Sequence, residues 1–371
     1  MKADRSNTVL MTEGSIGRKL FLFAMPLVLG NLLQQLYNTA DSVIVGNFVG
    51  SNALAAVGSS TPIINLLIAF SQGAAVGAGV VISHYLGAED EKNTQQAVHT
   101  AIAIILILGA VLTAAGILLS RSLLMLMKTP DEVMADSVTY LQIYFGGVIF
   151  NALYNMAAGI LNAAGNSRRS LLYLACASVT NIVLDLILVK SLDMGVAGAA
   201  IATDASQLVS CVLAMGFLMR VNADYRVRPG SIRINGRMAG RIIKIGLPAG
   251  IQNMVVSFSN AVVQSSVNGF GADAMAGFGA FLKIDGFSVL PVLSLSLAMT
   301  TFAGQNLGAG RVRHPRHAYN GRGVYHRLRR AGACLCNAHH RALYGQSGGR
   351  ELRRAGRAVF LPVLYFPLRH A

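Results

Sequence analysis

Residues 18–46 read RKLFLFAMPLVLGNLLQQLYNTADSVIVG, and the class of the protein turns on this stretch. It is apolar over more than the ~20 residues that a helix needs to cross a bilayer core of about 30 Å. Yet it carries Gln34, Tyr37, Asn38 and Asp41. Their spacings of three, four and seven place them along one helix face. A soluble helix would not be apolar around the rest of its circumference. Seven further stretches of membrane length follow, at about 53–84, 95–120, 136–164, 170–190, 196–219, 241–268 and 275–306. The expected fold is all-α and polytopic. Pro26, Pro62, Pro248 and Pro291 fall inside spans, where each removes a backbone hydrogen bond and favours a bend.

Composition agrees. Of 371 residues, 53% are hydrophobic and only 13% charged, too few charges to solvate a soluble domain of this length. The 39 glycines suit helices that pack backbone against backbone. Net charge is +15, which would suggest a nucleic-acid partner were it spread along the chain. It is not: residues 1–310 hold 18 Lys+Arg against 15 Asp+Glu, and residues 311–371 hold 13 Arg against Glu351 alone. The chain is therefore not expected to bind nucleic acid. Cys176 and Cys211 lie in apolar runs, Cys334 and Cys336 in the basic tail, and nothing forms a disulfide framework. No cleavable leader is evident, because the first apolar run is longer than a signal core and has no small-residue cleavage site.

Basic residues in the connections set the expected orientation. With the N-terminus inside, fourteen Lys and Arg lie in cytoplasmic segments, and only Arg121, Lys128 and Lys190 lie outside. The segment 220–240 is polar and basic and reads as a cytoplasmic linker. It separates an N-lobe of six spans, residues 1–219, from a partial C-lobe of two, residues 241–310. Sliding the chain by 222 residues aligns Pro26 with Pro248, Asn31 with Asn253, Asn38 with Asn260 and Phe48 with Phe270. An offset of six spans preserves orientation, so the two halves would be related by an axis along the membrane normal.

Charged side chains within a bilayer are costly and usually face the bundle interior. Asp41 in span one and Asp185 in span five have no basic partner within the first six spans. Such a carboxylate must take up a proton or coordinate a cation. Asn181 lies one turn before Asp185 and shares its face. Amides and tyrosines form further stripes: Tyr140 and Asn155 in span four, and Asn253, Asn260 and Gln264 in span seven. The structural alternative is that these residues are glue between helices. Lys283 and Asp285 in span eight are candidate substrate contacts. Asp193 and Asp204 lie close to expected helix ends and are expected to meet water.

Pro26 with Gln34, Tyr37 and Asp41, the Asn181-x-x-x-Asp185 pair, Thr203, and the span ends SHYLGA and GQNLGAG together resemble the MATE multidrug exporters. The resemblance covers about residues 10–310. It implies two six-helix lobes that alternately open a central cavity to either side. It further implies that Asp41, Asn181, Asp185 and Thr203 form the site for Na⁺ or H⁺, the coupling ion. Ion entry would bend the first helix at Pro26 and release an organic cation from a pathway lined by the polar residues above. On this resemblance the chain is a secondary antiporter rather than an enzyme. It would act as a monomer in a bacterial or archaeal plasma membrane, without other cofactors. The stripe of span seven holds amides and Ser but no acid, which argues against a second ion site there.

The resemblance calls for twelve spans, and here eight are legible. Residues 311–371 are Arg-rich, with six of the eight His, and no stretch among them reaches membrane length. They are expected to be disordered and to stem from a shifted reading frame, leaving a truncated exporter impaired in transport. A zinc site from Cys334, Cys336, His339 and His340 has unsuitable spacing. Two other functions are set aside on the same pattern. A lipid-linked oligosaccharide flippase of the same superfamily would need a cationic cavity. An intramembrane aspartyl protease would need motifs other than Thr-Ala-Asp41 and Val-Leu-Asp185.

Overall fold

The computed structural model describes residues 11–12, 16–127, 129–268 and 272–310; of the side chains, those of residues 16, 51, 260–262 and 264–288 are outside this description. Within it the protein is all-helical, with eight long helices. These are α1 (Ile16–Phe48), α2 (Ser51–Gly87), α3 (Glu91–Leu126), α4 (Asp131–Ala163), α5 (Ser167–Asp185), α6 (Gly195–Arg220), α7 (Gly236–Asn268) and α8 (Ala272–Gly308). Seven of them, α1 to α7, contain stretches long and apolar enough to cross a membrane. Six of the expected spans each fall inside one helix; 136–164 overruns α4 by one residue, and 170–190 runs past the end of α5 into the π-helical turn Leu186–Ser191. The helices outrun the apolar stretches because their polar ends continue the same hydrogen-bond ladder past the bilayer boundary. The expected linker 220–240 is shorter in the fold, since α7 already begins at Gly236.

Apolar side chains divide between the core and a face suited to lipid. On α3, Ala97, Val98, Ala101, Ile102 and Ile105 are buried, whereas Ile107, Val111, Leu118 and Leu126 are exposed. Exposed leucines of that number would be a liability in water and are ordinary in hydrocarbon.

The core is not continuous along the bundle. One apolar band joins Ile82, Ile102, Ile105, Met156, Ile160 and Leu218 with Val221, Tyr225 and Val227 of the linker and Ile242 of α7. A second, nearer the other end, joins Val45, Ile64, Leu112, Leu141, Phe145, Val148 and Ala199. Between the two bands α1, α4, α5 and α6 contribute polar residues, and this layer holds the candidate site.

α2 is the hub against which α7 and α8 pack. Gly73 and Gly77 of α2 face Gly246 and Gly250 of α7, so the two backbones touch. A Cβ on Gly246 would stand 2.7 Å from the Gly73 carbonyl oxygen. Small residues four apart on both helices allow this approach, which replaces the hydrophobic drive that lipid does not supply. At the other end of α8, the buried Gln305 amide donates to the Ala163 carbonyl (2.8 Å) and accepts from the Met11 N–H (2.8 Å). It thereby ties together the chain before α1, the end of α4 and the end of α8.

The linker is stitched to α3. Asn235 Nδ2 donates to Gln96, its N–H donates to Thr100 Oγ1 (3.1 Å), and the Arg228 N–H donates to His99 Nε2 (3.0 Å). Because that N–H can only donate, His99 Nε2 carries no proton. Its Nδ1–H must then donate to the Gln95 carbonyl at 2.7 Å.

Candidate functional site: a buried acidic layer

α1 carries Asp41 inward because the apolar residues on its other faces, such as Leu36 and Val43, are exposed toward lipid. Pro26 is buried fifteen residues earlier. One turn before it, the Phe23 carbonyl accepts a hydrogen bond from Ser167 Oγ at the start of α5 (2.9 Å). α1 and α5 are thus joined at one end by a hydroxyl and lie side by side toward the acids.

α5 brings Asn181 and Asp185 to the same layer, both fully buried. Asp185 is the last α-helical residue. The chain then widens into a π-helical turn, Leu186–Ser191, closed by Leu192 N–H to the Ile187 carbonyl (2.9 Å). Such widened turns recur at functional sites, because they re-aim a side chain without ending the helix.

The carboxyls of Asp41 and Asp185 approach within hydrogen-bonding reach of each other. Two carboxylates cannot donate to one another, and both oxygens of Asp185, one of Asp41 and both polar atoms of Asn181 have no donor or acceptor among the described residues. Nor does any basic side chain there balance them. Burying one unpartnered polar group costs about 1–3 kcal/mol, and a charge costs more. Five such atoms lie on these three neighbouring side chains.

Around the pair, Tyr37 is buried, near Gln34 and Gln207 of α6. Tyr140 of α4 is 5% exposed and within electrostatic reach of Asp41, Asp185 and Asp204. Its ring stacks on Tyr144, with centroids 6.3 Å apart. Asn155 lies farther along α4, where its amide donates to Asn151 (2.7 Å). The structure therefore brings Asp41, Asp185, Asn181, Tyr37, Gln34 and Tyr140 into one neighbourhood. Thr203 is half-buried on α6, and among the described residues no hydrogen bond joins its hydroxyl to either acid. Asn253 is half-buried on α7. The side chains of Asn260, Gln264, Lys283 and Asp285 lie outside the described residues.

One expectation is corrected. Asp204 is not at a helix end meeting water: it sits in the third turn of α6, half-buried, with its carboxylate against the Gly147 backbone of α4. α6 begins nine residues before it, because Gly195, at φ 57°, turns the chain directly into the helix. Asp193, by contrast, is exposed. The sequence reading also passed over Tyr144 and Gln207. Both are legible as helical neighbours, Tyr144 four residues after Tyr140 and Gln207 four after Thr203.

Membrane-length helices around a buried acidic layer define a polytopic membrane protein with a polar layer in its interior. Its sequence matches the MatE family over residues 26–187 and 248–322, and the chain belongs to that family, whose members are transporters and not enzymes. The two matched stretches begin at Pro26 and Pro248, separated by the same offset at which the two halves align. The chain is 33% identical over 301 residues to the probable multidrug resistance protein YpnP of Bacillus subtilis, covering 81% of this chain and 67% of that protein. To the probable multidrug resistance protein YoeA of the same organism it is 31% identical, covering 80% and 66%. It spans about two thirds of the length of these relatives. A solved outward-facing multidrug resistance MATE family transporter of the MOP superfamily superposes with TM-score 0.79 at 25% identity, covering 88% of this chain and 72% of that one.

Proposed function

We propose that the protein exports organic cations or amphipathic drugs in exchange for Na⁺ or H⁺, by alternating access between two lobes. The observation that carries this reading is the Asp41–Asp185 pair: two buried carboxyls facing each other, three of whose four oxygens have no partner among the described residues. When a proton or Na⁺ occupies the pair, the site is neutral and α1 and α5 can close on it. When the ion leaves, repulsion between the acids favours separation of the two helices, with Pro26 as the point where α1 yields. Asn181 offers an amide oxygen to a hard cation and an N–H to an ionised carboxylate, and Thr203 supplies a hydroxyl from α6 as that geometry closes. Gln34, Tyr37, Tyr140 and Asn155 line the way to this site. Asn253, Asn260, Gln264, Lys283 and Asp285 would contribute from the other lobe.

In this reading the protein works as a monomer in the bacterial plasma membrane, with its N-terminus in the cytoplasm as the basic connections require. The relatives' names support drug export, since YpnP and YoeA are both probable multidrug resistance proteins. The Na⁺ or H⁺ is cargo, not a resident cofactor. The test is ion binding followed by efflux. The purified chain in lipid nanodiscs should release protons on addition of Na⁺, or take them up on acidification, and Asp41→Asn and Asp185→Asn should each abolish the response. In cells expressing the protein, ethidium efflux should fall in parallel. Efflux that persists undiminished in both variants overturns the assignment.

A further inference from the structure

α7 carries a stripe that changes character along its length. Arg237, Arg241 and Lys244 lie four and three residues apart, so they share one face of its first turns, and all three are exposed. The same face continues through Leu247, Ile251, Val255 and Phe258, at spacings of four and three, and these too are exposed. Met238 and Ile242, on the other side of the helix, are buried. At 1.5 Å per residue the apolar part is about 17 Å long, close to the ~15 Å hydrocarbon depth of one leaflet. The cations along this side of the protein are not all alike. Arg226 Nε donates to the Met219 carbonyl at the end of α6 (2.9 Å), and the Arg169 guanidinium lies over the Phe217 ring (3.9 Å). Arg241 donates to the Tyr85 hydroxyl. Those three are spent on the protein. The side chains of Arg237 and Lys244, on either side of Arg241, make no hydrogen bond or ion pair among the described residues. No Asp or Glu occurs in the sequence between Asp224 and Asp273. The start of α7 is nonetheless fixed: Asn235 Oδ1 accepts from the N–H groups of Arg237 and Met238, and its amide donates to Gln96 of α3.

We propose that this stripe binds an anionic phospholipid of the leaflet on the linker side of the membrane. The phosphate diester lies between Arg237 and Lys244, and an acyl chain runs along Leu247, Ile251, Val255 and Phe258. The order of the stripe is that of the lipid, cations beside the head and hydrocarbon beside the tail. A zwitterionic lipid brings its own cation to the same place and gains less. Orientation by basic connections requires only that such charges stand on one side of the membrane. It does not require them unpaired, on a rigid turn, and in line with a lipid-length apolar face. The proposal goes beyond the ion-exchange reading and does not rest on it; it needs only that α7 crosses the bilayer.

The sequence contains no Trp, so one introduced indole reports on one place. The full chain carrying Ile251→Trp is reconstituted with brominated phosphatidylglycerol or brominated phosphatidylcholine, and the quenching gives the relative affinity of the stripe for each. Phosphatidylglycerol should be preferred by at least about threefold. A chain carrying Ile107→Trp instead, on the exposed face of α3, should show no preference. Adding Arg237→Gln and Lys244→Gln to Ile251→Trp should bring the preference close to one. Should that variant fail to insert, added salt serves in its place: screening should weaken the preference of the chain that keeps both cations. Excess soluble glycerol phosphate should leave the preference intact; its loss would make the ligand a free phosphate ester and overturn the lipid. Equal quenching by the two lipids overturns the proposal and leaves the charges as orientation signals. Quenching in Ile107→Trp with none in Ile251→Trp also overturns it, because protein, whether a second copy or further helices, would then cover the stripe. Ion binding at Asp41 and Asp185 should be unchanged in Arg237→Gln with Lys244→Gln.

Discussion

Two buried polar regions of this bundle are built on opposite rules. At the end of α8, the Gln305 side chain is fully buried and its amide oxygen and nitrogen are both satisfied, by Met11 and by Ala163. Between the apolar bands, Asp41, Asn181 and Asp185 are buried as well, and most of their polar atoms have no partner among the described residues. A satisfied buried polar group specifies how helices meet; an unsatisfied one stores a demand that only a ligand meets. The contrast separates glue from site more sharply than residue type does, since an Asn and a Gln fall on opposite sides of it.

The largest effect expected from this contrast is functional. Asp41→Asn and Asp185→Asn should each lower ion-coupled drug efflux by at least about tenfold, since the loss of one charged partner in a buried site is worth more than 1.4 kcal/mol. Their effect on stability should run the other way. An amide in place of one acid can donate to the other, so thermal unfolding in detergent should occur at the same or a higher temperature than in the wild type. A variant at either position that loses both stability and efflux would place the pair with the glue.

Gln305→Ala should show the reverse pattern. It leaves the Met11 N–H and the Ala163 carbonyl buried without partners, at a cost of about 1–3 kcal/mol for each group exposed to that fate. The melting temperature should drop, while ion binding at the acidic pair persists in the folded fraction. Gly73→Val probes packing farther along α2, at its seam with α7. A side chain there meets the α7 backbone, with Gly246 O at 2.5 Å from the first added carbon, so the helices must separate. The expected cost is about 1–3 kcal/mol from overpacking, read as reduced yield of folded protein from detergent.

Most of the fold was legible because membrane helices announce themselves by length. Every expected span fell on one helix, with 170–190 running on into the π-helical turn after α5, and Asp41 with Asp185 could be paired because nothing else in the first six spans could neutralise them. The misplacement of Asp204 came from a different source. Its depth depends on where α6 starts, which the left-handed Gly195 fixes, and on the hollow that Gly147 of α4 leaves opposite its carboxyl. Which glycine faces which side chain across two helices leaves no trace in residue identity. The latch made by Gln305 was equally hidden: it joins Met11 to a residue 294 positions away and to the last carbonyls of α4. The glycine seam between α2 and α7 was visible only as an abundance of glycine, not as a register.

The smallest effect concerns a polar group at the edge of the bundle, where water rather than a partner decides the outcome. Asp90 caps α3: its carboxylate accepts from the Asn93 side chain (2.6 Å) and the Asn93 N–H (3.1 Å). The Asn93 side-chain bond, followed by the backbone bond and nearby Lys92, holds this carboxyl below the usual aspartate range. A lowered value means that the ionised form is favoured by folding. The stabilisation is therefore complete above the unfolded value of about 4 and fades as acid protonates the folded carboxyl. Hydrogen-exchange protection at the Asn93 amide should be flat at neutral pH and decline in that acidic window. In Asp90→Asn, which caps without ionising, protection should stay flat through it, and in Asp90→Ala it should be weaker at every pH, by up to about 1 kcal/mol. Parallel decline in the wild type and in Asp90→Asn would mean that the turn loosens for another reason, and that polar groups at this edge are governed by neither of the two rules above.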